Sequence, residues 1–184
     1  MSDNQAPTDI PTARMLSWAR NSTIYRLERQ MLTERQLCDA IVRKAKQKFE
    51  GITEGQLKAV ADRAVAFAYE HGGLNDRAYA KVSTRSGVRN GRSKRRIAHK
   101  LSQKGVDREV IATALDEADD LLAAIVFARK RAFGPFRRGD VDRERVTKEM
   151  AAFARSGFSF DIGKAVLAMS REEAEGVAIA RSAS

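Results

Sequence analysis

Glycines, together with residues whose short side chains cap helices, cut this chain into brief amphipathic stretches, and that punctuation admits little besides small helical units. Thr33 stands before the apolar positions Leu37, Ile41 and Ala45, and Thr53 before Leu57, Val60, Ala64 and Phe67, each the signature of a capped helix with one buried face. Gly72 and Gly73 then stop the chain. Asn75, Ser93 after Gly91 and Asp107 after Gly105 offer the next three starts. The spacing predicts helices over 13–31, 33–49, 53–71, 75–90, 93–104, 107–119, 119–133, 142–156 and 159–169. With three prolines, few aromatics and no β-branched runs, nothing favours strands, so the expected class is all-α.

These segments group in threes. Laid over each other, Leu101, Gly105, Val106, Val110 and Leu115 meet Phe153, Gly157, Phe158, Ile162 and Leu167, and Thr33, Leu37 and Ile41 meet Ser93, Ile97 and Leu101. The shared unit is helix, glycine turn, apolar residue, cap and helix. A period of about 50 residues implies tandem modules whose small cores depend on their neighbours. The expectation is an elongated array of three tandem three-helix repeats at 13–73, 74–118 and 119–170, after a flexible lead at 1–12 and before a tail at 171–184. Trp18, Phe67, Phe127, Phe153, Phe158 and Phe160 are expected to pack in the core or between modules.

Charge is unevenly placed. The segment from Arg77 to Lys104 holds Arg77, Lys81, Arg85, Arg89, Arg92, Lys94, Arg95, Arg96, Lys100 and Lys104 with no acidic residue, a concentration equal to the net charge of +10. The next stretch is acidic, with Asp107, Glu109, Asp116, Glu117, Asp119 and Asp120. Arg129, Lys130, Arg131, Arg137 and Arg138 form a second basic cluster. Arg77, Lys81 and Arg85 share one helix face, and without acidic residues at i,i+4 they repel one another; a polyanion or an acidic protein would relieve that repulsion. Aromatics that could stack on bases are missing apart from Tyr79, and no compact base-reading group of Asn, Gln and Arg is present, so backbone contact is the expected mode on any nucleic acid.

Catalytic, cofactor and metal residues are all expected to be absent. His71 and His99 have no ligand spacing, Gly87 and Gly91 lack the Gly-Lys-Ser/Thr ending of a phosphate loop, and no nucleophile elbow occurs. The acidic run Asp116 to Asp120 lacks the spacing of a calcium loop and fits better as a favourable charge at a helix start. Cys38 stands alone, which suits a reducing compartment, and the longest apolar run, Leu121 to Ala128, is too short to span a bilayer. A cytoplasmic monomer with no membrane partner is expected.

The stretch Leu74-Asn75-Asp76-Arg77-Ala78-Tyr79-Ala80, then Arg85-Ser86, then Gly91-Arg92-Ser93-Lys94-Arg95-Arg96-Ile97, Leu101 and Lys104-Gly105-Val106-Asp107, resembles the central repeat of RecX proteins. Thr33-Glu34-Arg35-Gln36-Leu37 is similar to the second helix of their first repeat, and Phe153-Ala154-Arg155-Ser156-Gly157-Phe158-Ser159-Phe160-Asp161 to their third. The segment Lys46 to Gly51 departs from the family, being longer than its usual turn. The resemblance implies three tandem three-helix repeats and a regulator that binds RecA and RecA–single-stranded DNA filaments, limiting filament extension, ATP hydrolysis and strand exchange in recombination, repair and the SOS response, with weak DNA binding of its own. It supplies no site residues, so the ten basic residues are candidates on charge alone. Two other readings compete: a homeodomain-like helical protein acting on duplex DNA, which base-specific footprinting would reveal, and a helical scaffold without nucleic acid.

Overall fold

The computed structural model describes residues 9–140 and 142–182, and every regular element among them is helical. The helices are α1 (Ala13–Leu27), α2 (Glu34–Lys48), α3 (Glu54–Glu70), α4 (Asp76–Arg89), α5 (Lys94–Gln103), α6 (Arg108–Asp116), α7 (Asp120–Arg131), α8 (Arg143–Arg155), α9 (Phe160–Ala168) and α10 (Arg171–Ser182), with a 3-10 turn at Gly134–Phe136. They form two compact units. The first holds the described residues up to Tyr79 together with Lys104–Val106; the second holds Ala80–Gln103 and the described residues from Asp107 onward.

In the first unit, Thr33 and Thr53 both close capping boxes, each hydroxyl accepting from the N–H three residues on while Gln36 or Gln56 reaches back. The faces so started bury Leu37, Ile41 and Ala45 on α2 and Leu57, Val60, Ala61, Ala64 and Ala68 on α3. Met15 and Ala19 of α1 complete the core, and Trp18 meets Phe49 edge-on with centroids 5.4 Å apart. Of the expected lead, residues 1–8 lie outside the described residues. The part beyond them is tied down: Thr53 Oγ1 donates to Asp9 at 2.7 Å and Gln56 Nε2 to the Ile10 carbonyl at 3.1 Å.

The second unit is centred on aromatic rings. Phe127 lies 5.2 Å from Phe153 and 5.5 Å from Phe158, centroid to centroid, and Phe153 and Phe158 are 5.7 Å apart. Such offset and edge-on pairs contribute about 0.5–1.5 kcal/mol each beyond the area they bury. Phe160, expected in this core, is instead 66% exposed. It is the first residue of α9, a turn ahead of the inward positions Gly163 and Val166, and its place at the helix end leaves it outside the core.

The last helix also departs from expectation. Where the sequence reading has only a tail, α10 starts from a reciprocal cap: the Ser170 N–H donates to Glu173 Oε2 at 2.7 Å and the Glu173 N–H to Ser170 Oγ at 3.1 Å. Ala174 and Ala178 are buried, and the helix packs on α7. Residues 183 and 184 of that tail lie outside the described residues.

One junction is built twice. In the first unit, buried Thr33 caps α2 and also donates its hydroxyl to the Lys104 carbonyl at 2.6 Å, while the Glu34 N–H donates to Asp76 Oδ1 at 3.1 Å. In the second, buried Ser93 caps α5 and donates to the Ser156 carbonyl at 2.7 Å, while the Lys94 N–H donates to Asp120 Oδ1 at 2.7 Å. Burial pushes both aspartate carboxyls up, against the lowering pull of the N–H each accepts. Each accepting turn carries a left-handed glycine, Gly105 at φ 81° and Gly157 at φ 87°. A Cβ there would run into the Arg35 side chain or the Ser93 hydroxyl, so the close approach needs glycine as much as the turn does.

A buried carboxylate anchors the 3-10 turn. Glu149, 2% exposed, accepts from the Gly134 N–H at 3.0 Å and from Arg137 Nη2 at 2.6 Å, with Arg145 Nε 3.5 Å away. Burial alone would raise its pKa, but the Arg137 guanidinium, the Gly134 N–H and Arg145 together hold the carboxyl below its usual range.

Candidate functional site

The ten basic candidates fall on two helices and their ends. Helix α4 starts where Asn75 Oδ1 accepts the Ala78 N–H at 2.9 Å. It buries Ala80, Thr84, Gly87 and Val88, a spacing that leaves Arg77, Lys81, Arg85 and Arg89 in an exposed stripe of successive fourth positions. Helix α5 buries Ile97 and Leu101 and exposes Arg95, Arg96 and Lys100, with Arg92 exposed just ahead of its cap. Lys94 and Lys104 are half-buried. Arg77 and Lys104 belong to the first unit and the other eight to the second.

Within the second unit the stripe does find a counter-charge. Glu117, just past α6, approaches Lys81 Nζ at 3.7 Å and Arg85 Nη2 at 4.0 Å, which corrects the expectation that repulsion along α4 goes unrelieved. The pairing is remote in sequence and so invisible to i,i+4 reasoning. It is also weak, because both partners are more than half exposed and water screens them. Arg89, Arg92, Arg95, Arg96 and Lys100 make no ion pair with any described residue. Those five can neutralise and hydrogen-bond an anionic surface at no internal cost.

The second basic cluster is partly committed to structure. Arg137 is held by Glu149, and the guanidinium carbons of Arg129 and Arg131 lie 5.2 Å and 5.8 Å from the ring centres of Phe136 and Phe127. Lys130 instead reaches the end of α4, donating to the Asn90 carbonyl at 3.1 Å.

An open groove of about 670 Å³ runs beside the α4 stripe. Lys81, Arg85 and Arg89 stand along one side, the α6–α7 junction forms the other, and Val88, Ala118 and Leu122 are among the residues at its floor. Arg181 of α10 closes one part, its Nη1 2.7 Å from Asp119 Oδ2. Asp119 also caps α7 by accepting the Leu122 N–H at 3.0 Å. Burial would raise the Asp119 pKa, yet the Arg181 and Leu122 hydrogen bonds bring it below its ordinary value. Sequence reasoning missed Arg181 and Glu117 as parts of this surface, and no local pattern marks either. Among the described residues no group of three His, Cys, Asp or Glu side chains could hold a metal ion, and no helix is long and apolar enough to cross a membrane.

Comparison with known proteins bears on what such a surface is for. A family model described as RecX, second three-helix domain, matches residues 75–115, the stretch that carries all ten candidates. The chain is 57% identical over 175 residues to the regulatory protein RecX of Agrobacterium fabrum, covering 95% of each. The chain belongs to the RecX family. A second RecX regulatory protein, from Myxococcus xanthus, is 39% identical over 158 residues, covering 82% of this chain and 84% of its own. The crystal structure of RecX from Lactobacillus salivarius superposes with a TM-score of 0.65, covering 85% of this chain and 96% of that one at 21% identity, and so shares the fold. Membership in RecX makes this a regulatory protein with an all-helical architecture.

Proposed function

We propose that this chain binds RecA and the RecA–single-stranded DNA filament and limits filament extension, ATP hydrolysis and strand exchange, acting as a cytoplasmic monomer without catalysis, cofactor or metal of its own. Membership of a regulatory family supports the reading, and one structural observation carries it: Arg92, Arg95, Arg96 and Lys100 stand exposed together around α5 with no acidic partner among the described residues. A protein that works on a nucleoprotein filament needs such a face, because unpaired cations gain counterion-release free energy on phosphate and steer association toward acidic surfaces. Lys81, Arg85, Arg89 and Lys94 extend the candidate surface within the second unit, Arg77 and Lys104 are the basic candidates of the first, and weak contact with DNA itself follows from the same charge. The array of three three-helix repeats belongs to this proposal as its scaffold, its repeated junction of hydroxyl cap, carboxylate and glycine turn being the physical support.

The deciding experiment is the ATPase of RecA on single-stranded DNA with the chain added at several salt concentrations. The expected outcome is a falling rate with added protein, and an inhibition that weakens as salt rises. An unchanged rate at low salt would remove RecA as the target, and a raised rate would reverse the sign of the regulation.

A further inference from the structure

We propose that the groove between α4 and the α6–α7 junction is a docking site for an acidic, aliphatic segment of a partner protein. This deepens the proposed function by giving the chemistry of a protein contact, and it rests on that reading only for the partner's identity. The basic surface of the second unit divides in two. Lys81, Arg85 and Arg89 line the groove, whereas Arg92, Arg95, Arg96 and Lys100 do not. Two sets of cations therefore stand in different surroundings: one open to solvent around α5, the other along a concave strip with an aliphatic floor.

The walls discriminate against phosphate. Val88, Ala118 and Leu122 give the floor no ring on which a base could stack. Glu117 and Asp119 interrupt the cationic lining, so the groove suits carboxylates spaced along a peptide better than an unbroken row of phosphates, one per nucleotide. A peptide can place a carboxylate at each cation and an aliphatic side chain on the floor between them. With Arg181 counted, four cations face two carboxylates, so the groove keeps a net demand for negative charge. The internal pairs of Glu117 with Lys81 and Arg85, at 3.7 Å and 4.0 Å, are loose enough to be exchanged for an incoming carboxylate. Thr84 adds a second sign of incompleteness. It lines the groove at 3% exposure, and its hydroxyl has no hydrogen-bond partner among the described residues. The volume lies within the range of sites that enclose small ligands or a few side chains.

The test uses the full chain, isotopically labelled, with neither RecA nor DNA present. It is titrated with a short peptide of alternating Glu and Leu, an equally long peptide of Glu and Ser, and oligothymidylate. The Glu–Leu peptide is expected to shift amide resonances at Lys81, Arg85, Val88, Ala118 and Leu122. It should bind about tenfold or more tightly than the Glu–Ser peptide, which has charge but nothing for the floor. R85Q/R89Q should weaken it about tenfold, with helical circular dichroism unchanged because both side chains are exposed. E117Q should tighten it, since the variant removes the carboxylate that competes for Lys81 and Arg85. Shifts confined to Arg92 through Lys100, equal affinity for the two peptides, displacement of the Glu–Leu peptide by oligothymidylate at equal concentration, or weaker binding by E117Q would each overturn the assignment. Since RecA is absent, failure here leaves the ATPase test untouched, and failure there leaves this result standing.

Discussion

Gly91 and Ala132 both carry left-handed backbone, at φ 74° and 53°, yet substitutions there should act in opposite directions. At Gly91 a Cβ would come within 2.8 Å of the Phe127 backbone nitrogen, where nothing can yield cheaply, so Gly91→Ala should cost about 2–3 kcal/mol. Ala132 already bears the steric cost of a Cβ in that region, and Ala132→Gly should stabilise by about 0.5 kcal/mol once the added freedom of the unfolded chain is deducted. Urea midpoints of the two variants check both signs. Glu149 links residue chemistry to pH. Its folded pKa is depressed, so its contribution is fully present above the unfolded value of about 4.3 and is lost as pH falls from there through the lower folded value. Glu149→Leu should cost about 3–5 kcal/mol at neutral pH, because Arg137 is left buried without its partner. Acid titration of stability should show the parent losing this margin below about pH 4.3, while Glu149→Leu loses only what the likewise depressed Asp119 contributes. If both lose stability in parallel, another carboxylate sets the acid limit.

At the scale of the element, most of the helical pattern could be read locally because caps are local. Thr33, Thr53, Asp107 and Ser159 each accept an N–H of the first turn they precede, as their positions before apolar runs predict. The same logic was available for α10, where Ser170 and Glu173 have the spacing of a capping box; the weak apolar face that follows, mostly alanine, hid it. What the chain does not announce is tertiary. That Glu117 would face Lys81 and Arg85, or that Arg181 would reach Asp119, depends on helix placement that no short-range spacing encodes. Phe160 shows the converse, a large apolar residue whose exposure follows from being first in its helix rather than from its type. The doubled role of the hydroxyl caps gives a test at this scale. Ser93→Ala removes both the cap and the donor to the Ser156 carbonyl and should cost about 2 kcal/mol. Thr33→Ser keeps its hydroxyl and should cost less than about 1 kcal/mol for the lost methyl. Equal denaturation midpoints for Ser93→Ala and the parent would show that the junction bond contributes nothing.

For the molecule as a whole, the question is whether its excess of positive charge works through phosphate or through protein. Changing Arg85, Arg89, Arg92 and Arg95 together to Gln should leave helicity intact, since Gln is nearly as good a helix former and Val88, Ile97 and Leu101 keep the faces buried. On filaments, each phosphate contact removed should flatten the logarithmic salt dependence of binding by about 0.7. A slope unchanged from the parent, with inhibition of RecA also unchanged, would place the working surface elsewhere. The twice-built junction reaches further than stability. The hydroxyl of Thr33 waits for a carbonyl 71 residues later in the chain, and that of Ser93 for one 63 residues later. At a synthesis rate of roughly 5–20 residues per second, the Thr33 hydroxyl, already accepting the Gln36 N–H, waits roughly 4–14 s after its own residue is made for the carbonyl it donates to. Each stretch of the nascent protein is thus completed by the one made after it, and the order of translation becomes the order in which the fold is sealed.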